Sequence, residues 1–182
     1  MNEFSLIIVD MINAYLAPGG KLYCKEAHAI IPAINRLVRH VRTEGGTIIF
    51  ANTSLASEQD PIARKWGMHA VQGTESTEPW HELSREDNDR VVEKTSYNAF
   101  FRTNLNEVLR SANASSVGIV GIHTHVCVLL TAAMASDLGY EVVTFRDAMT
   151  TGYRPNHDTR LRFFETHIGR LTKVNDFIRS DR

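Results

Sequence analysis

SVGIVGIHTHVCVLLTAAMASDLGYEVVTF (Ser116–Phe145) is the stretch whose reading decides the fold. It opens with an apolar run, Ser116–Ile122, of the kind found in a strand buried on both faces. A polar turn follows, then an apolar segment from Cys127 to Leu138, long enough for a buried helix and closed by Gly139. A second apolar run, Glu141–Phe145, completes a strand–helix–strand unit. Such a unit joins parallel strands through a crossover helix.

The same rhythm extends in both directions. FSLIIVD (Phe4–Asp10) is an apolar run that ends in a carboxylate. Over Ala27–Glu44, the residues Ile30, Ile31, Ile34, Leu37, Val38 and Val41 recur at spacings of one face of a helix, and Gly45-Gly46 ends it. TIIFA (Thr47–Ala51) and RVVEK (Arg90–Lys94) read as strands, and Thr103–Ala112 as a helix with Thr103 as its cap. His157–Thr166 reads as a helix and RLTKV (Arg170–Val174) as a last strand. Strands alternating with helices predict an α/β fold, a Rossmann-like three-layer α/β/α sandwich on a six-stranded parallel sheet. Residues 1–182 are expected to form one domain. Between Asn52 and Asn88 lies a long polar stretch with weak periodicity, which marks a functional loop or short helices.

The formal net charge is −1, with 43% hydrophobic and 23% charged residues. That balance advertises neither nucleic acid nor an anionic membrane as a partner. There is no apolar run of membrane-spanning length, and MNEFSLIIVD lacks the plan of a signal peptide. A cytoplasmic protein is expected. The only two cysteines, Cys24 and Cys127, argue against a disulfide framework and leave room for one bridge at most.

Ligands of open α/β sheets bind beyond the carboxyl ends of the strands. Three reactive side chains are expected at such ends: Asp10 after the first strand, Lys94 at the third, and Cys127 just past the fourth. Each has an ordinary alternative, namely a turn cap, a solvated lysine and a small buried hydrophobe. Their convergence on one edge favours chemistry. A helix N-terminus and a nearby ammonium lower a thiol pKa. A carboxylate can accept the thiol proton and return it to a leaving amine. Asp, Lys and Cys together therefore suit acyl transfer, with backbone N–H groups of the turn before the helix as oxyanion donors.

On these residues the chain resembles the isochorismatase-like cysteine hydrolases, which include nicotinamidases and N-carbamoylsarcosine amidohydrolases. LIIVDMINAYL carries the family's Asp (Asp10), KTSYNAFFRTNLNEVL its Lys (Lys94), and GIHTHVCVLLTAAMASDLGYEVVTFRDAMTT its Cys (Cys127). The resemblance implies strand order 3-2-1-4-5-6 and a dimer or tetramer; no cofactor is expected. It implies that Asp10 is the general base, that Lys94 orients and polarises the site, and that Cys127 forms a thioester with the substrate. It also implies a non-proline cis peptide at Ile122–His123, with the N–H groups of His123 and Cys127 forming the oxyanion hole.

Two departures stand out. Metal-holding nicotinamidases carry an Asp and a His after the second strand, where this chain reads ANTSLASEQD. Only His69 matches a later family histidine, so no catalytic metal is expected. His123, His125 and Cys127 form H-x-H-x-C, which would share a face and suit zinc if extended. In TTGYRPNHDTR, Arg154 stands where N-carbamoylsarcosine amidohydrolases hold a substrate carboxylate, a task that suits a guanidinium. Thr124 and His123 are further candidate substrate contacts, and Trp66 and Trp80 candidate pocket walls. The expected activity is amide hydrolysis on an N-carbamoylsarcosine-type substrate. The alternatives are nicotinamide, another small substrate of an isochorismatase-like hydrolase, or a non-catalytic metal- or ligand-binding module.

Overall fold

The computed structural model describes residues 3–152 and 154–180, without the side chains of residues 154–156 and 158. Six strands, β1 (Phe4–Val9), β2 (Thr47–Thr53), β3 (Arg90–Lys94), β4 (Ser116–Ile122), β5 (Glu141–Thr150) and β6 (Arg170–Thr172), form one parallel sheet in the order β3-β2-β1-β4-β5-β6. This is the expected α/β sandwich. The helices are α1 (Asn13–Leu16), α2 (Ile31–Thr43), α3 (Pro61–Trp66), α4 (Leu105–Ser111), α5 (Leu129–Asp137), α6 (Arg154–Phe163) and α7 (Val174–Ser180).

Strand β1 is buried along its whole length because alternate side chains serve two cores. Leu6 and Ile8 pack with Ile34, Leu37 and Val41 of α2 and Phe177 of α7. Ile7 and Val9 pack with Leu105 and Leu109 of α4 and Ala132 and Ala135 of α5. A run such as FSLIIV therefore shows no polar alternation.

Element ends moved where local chemistry overrode the apolar pattern. The helical segment expected over Ala27–Glu44 is a 3-10 turn, Lys25–Ile30, followed by α2, with Pro32 in the first turn of α2, where its missing N–H costs nothing. Thr103 caps from one residue further out, its hydroxyl 3.2 Å from the N–H of Leu105. The helix expected to begin at Cys127 is preceded by a π-helical turn, Thr124–Val128, so that Cys127 lies inside the coil. Another π-helical turn, Phe164–Ile168, extends α6. The fifth strand runs five residues beyond Phe145, and β6 stops two residues short of Val174.

Gly121 has φ +110, and a Cβ there would lie 2.1 Å from the carbonyl oxygen of Val9. Only glycine lets β4 press this closely on the end of β1. The register between β4 and β5 shifts at the same place, between Ile119 and Gly121. The peptide that follows, Ile122–His123, is cis.

Candidate active site

The strand order reverses between β1 and β4, and the crevice beyond their carboxyl ends is where an open sheet binds ligands. Asp10 follows β1 directly with φ 56, a left-handed conformation that Asp tolerates better than most residues. Its N–H is tied to the carbonyl of Ala51 at 3.0 Å. Lys94 ends β3, and Cys127 stands in the turn after β4.

The structure brings these three side chains together. Lys94 Nζ donates to Asp10 Oδ2 at 2.8 Å, to Thr53 Oγ1 at 2.9 Å and to the carbonyl of Ser96 at 3.1 Å, and lies 3.8 Å from Cys127 Sγ. Asp10 Oδ1 accepts from the N–H and the hydroxyl of Thr53, both at 2.8 Å. The side chains of Lys94 and Asp10 are 0% and 2% exposed, so this ion pair is fully withdrawn from water. Burial works against the charge on Lys94, but Asp10 and Cys127 outweigh it and raise the ammonium pKa. Burial pushes the Cys127 thiol well up, Lys94 pulls it down, and Asp10 pushes it up again. The resting site thus sets a buried ion pair beside a thiol whose pKa is pushed up by burial.

A cavity of about 490 Å³ opens onto Asp10 and Cys127. Tyr15, Trp66, Tyr97 and Val126 give it a largely aromatic and apolar wall, while His123 and His125 stand beside the thiol. Burial holds both histidines below the usual pKa, which favours neutral rings. His123 Nδ1 is buried without a hydrogen-bond partner among the described residues. His125 Nδ1 is 3.1 Å from Thr151 Oγ1. A wider depression of about 580 Å³ lies at the opposite edge, around Tyr140 and Arg170, and holds none of the three residues.

The other expected contacts divide. Thr124 is fully buried behind the wall, its hydroxyl 3.1 Å from His157 Nδ1, because the π-helical turn rotates it inward. The side chain of Arg154 lies outside the described residues. Trp66 lines the cavity and donates to Tyr97 Oη at 2.8 Å, whereas Trp80 packs against the core below α2. Cys24, expected only in a loop, is buried in the wall of the same cavity, with its thiol 3.8 Å from Glu26 Oε2.

The donor set does not fit a metal of the nicotinamidase kind. After β2 the chain offers Ser54 and Leu55 rather than an acid and a histidine. The coiling of Thr124–Val128 keeps His123, His125 and Cys127 from sharing an extended face. Among the described residues no group of three or more His, Cys, Asp or Glu side chains is arranged to hold an ion. His69 Nε2 is already engaged, 3.0 Å from Tyr15 Oη.

Sequence reasoning missed Thr53, Ser96 and Tyr15. Thr53 holds the ion pair through contacts between strand ends, which leave no local pattern, whereas Ser96 acts through its backbone carbonyl two residues from Lys94, a contact that any residue type could make. A signal for Tyr15 was present, five residues after Asp10 on the first turn beyond β1, but its partner lies 54 residues away.

Comparison with known proteins agrees with this fold. The family model for the isochorismatase domain matches residues 5–176. A ureidoacrylate amidohydrolase of Variovorax paradoxus is 28% identical over 205 aligned positions, covering 98% of this chain and 81% of the relative. The solved nicotinamidase of Bacillus subtilis is 29% identical with a TM-score of 0.87, covering 94% of this chain and 99% of its own. The N-carbamoylsarcosine amidase of Thermoplasma acidophilum is 27% identical with a TM-score of 0.84, covering 94% and 96%.

Proposed function

The chain belongs to the isochorismatase family, and on that premise we propose that it is a cysteine amidohydrolase of small carboxamides or carbamoyl compounds. The observation that carries this reading is the buried Lys94–Asp10 pair at 2.8 Å, with Cys127 Sγ 3.8 Å from the same ammonium at the floor of a cavity.

Cys127 attacks the substrate carbonyl carbon as its proton passes to Asp10. The negative charge moves from the carboxylate through sulfur to the carbonyl oxygen. The N–H groups of His123 and Cys127 receive that oxygen; those of Val126 and Val128 are already bonded to the carbonyl of His123, at 3.0 and 3.3 Å. Collapse breaks the C–N bond, and Asp10 returns the proton to the departing amine. A thioester remains. Water, deprotonated by Asp10, then releases the acid and restores the thiol. Lys94 keeps its protons throughout and serves as a fixed counter-charge.

Within this class an N-carbamoylsarcosine-type substrate rests on Arg154 meeting a carboxylate. Nicotinamide is the second reading, favoured by the aromatic wall of Tyr15, Trp66 and Tyr97. The test is ammonia release from N-carbamoylsarcosine, other N-carbamoyl amino acids, nicotinamide and maleamate, after chelation. Release that disappears in Cys127→Ala is expected, with selective loss on carboxylated substrates in Arg154→Ala. Equal release by Cys127→Ala would remove the nucleophile. No release from any amide would favour a non-catalytic ligand-binding module.

A further inference from the structure

Tyr15 stands between the cavity and His69. Tyr15 is 6% exposed and lines the cavity with Asp10 and Cys127. Its oxygen lies 3.0 Å from His69 Nε2, and the His69 ring is turned so that Nδ1 is 2.7 Å from the carbonyl oxygen of Gly67. A carbonyl only accepts, so Nδ1 carries the hydrogen. Burial, the largest influence on His69, lowers its pKa and favours the neutral ring. Nε2 then offers a lone pair, and the Tyr15 hydroxyl must donate to it. The phenol hydrogen is therefore committed away from the reacting centre. Tyr15 lines the cavity with Asp10 and Cys127, and its phenol oxygen, which also neighbours Thr53, can only accept.

A primary carboxamide brings two N–H donors to the site, whereas an ester brings none at that position. Asp10 can meet one donor; a second acceptor is needed for the other. We propose that Tyr15 Oη accepts a hydrogen bond from the nitrogen of the scissile amide, and that His69 is the positioning residue that keeps the phenol in this accepting orientation. The pair is thereby a device for selecting N-linked over O-linked acyl groups. It also gives His69 a structural partner at the nitrogen that a metal would otherwise require. The inference rests on the amidohydrolase reading above.

The test uses the amide of the panel that releases ammonia fastest, together with its methyl ester, and measures kcat/KM for both in wild type, Tyr15→Phe, His69→Ala and His69→Gln. Tyr15→Phe removes one neutral hydrogen bond and should lower the amide value about ten-fold while leaving the ester within about two-fold. His69→Ala frees the phenol hydrogen to face the amide nitrogen and should act in the same direction. His69→Gln places an amide oxygen near the Nε2 position and should recover part of the selectivity. If amide and ester fall together in Tyr15→Phe, the phenol serves packing alone and the inference is overturned. An unchanged amide-to-ester ratio overturns it equally. Absence of ammonia release by wild type would instead remove the amidohydrolase reading itself.

Discussion

Replacing Asp10 by Asn separates the electrostatic role of the ion pair from any role in turnover. Asp10 accepts three hydrogen bonds, two from Thr53 and one from Lys94. An amide has one accepting oxygen, so its NH2 must face either the ammonium or the Thr53 donors. The Lys94 side chain is 0% exposed and water cannot make up the loss. Leaving one partner of a buried pair uncompensated costs about 3–5 kcal/mol. The pH dependence follows from the sign of the Lys94 shift. In wild type its pKa is raised, so its contribution is complete below the unfolded value, about 10.4, and is lost as pH rises through the folded value. In Asp10→Asn the unpaired buried lysine should have a depressed pKa. The folded state then resists the proton that the unfolded chain holds at pH 7, and the deficit should shrink as pH rises toward 10. Urea unfolding at pH 7.0 and 9.5, followed by tryptophan fluorescence, measures both. The double variant Asp10→Asn/Lys94→Met, which removes both charges, should recover most of the loss. A cost below about 1 kcal/mol, or one equal at both pH values, would refute a charged and water-free pair.

Two other perturbations follow from the same geometry. Because burial and then Asp10 hold the Cys127 proton in place while Lys94 pulls against them, alkylation of Cys127 by iodoacetamide should be slow at pH 7 and rise steadily with pH. It should be faster in Asp10→Asn and slower in Lys94→Met, read by peptide mass spectrometry to separate it from Cys24; the reverse order would refute the charge assignment. Gly121→Ala should cost about 3 kcal/mol or more, as overpacking at a strained backbone position does, because a Cβ would meet the Val9 carbonyl at 2.1 Å. At about 2–4 °C per kcal/mol for a chain of this size, a fall of less than 3 °C by calorimetry would contradict it.

Much of this was legible because buried parallel strands leave an unbroken apolar signature. Phe4–Val9 and Ser116–Ile122 are such runs, and their ends place Asp10 and Cys127 at one edge of the sheet. The far half of β5 was hidden because Arg146 and Asp147 interrupt the apolar run. Asp147 is nonetheless structural, accepting from the N–H of Val174 at 3.0 Å and so fixing the start of α7. The π-helical turn at Thr124–Val128 has no period that a helical pattern could reveal, so the inward rotation of Thr124 was not readable. Contacts that join distant strand ends were invisible for a different reason: they depend on register. The pairing of Thr53 with Lys94 between β2 and β3 exists only once the sheet is assembled.

That pairing also explains why Thr53 matters more than its small size suggests. Its hydroxyl donates to Asp10 Oδ1 and accepts from Lys94 Nζ, closing a ring of hydrogen bonds around the ion pair. Its own N–H holds the same carboxylate oxygen. Thr53→Val keeps the shape and the N–H but removes the hydroxyl. Lys94 would keep Asp10 and the Ser96 carbonyl, and Asp10 would keep two donors, so neither charge is abandoned. The cost should therefore be about 1–3 kcal/mol, that of buried groups losing one polar neighbour, and distinctly less than for Asp10→Asn. Activity should fall further than stability implies, because the ring fixes Asp10 relative to the Cys127 thiol and loss of orientation acts on the barrier directly. Parallel measurement of urea unfolding and kcat/KM decides it. A variant as unstable as Asp10→Asn would show that the hydroxyl, and not the charge pairing, holds this corner of the sheet together.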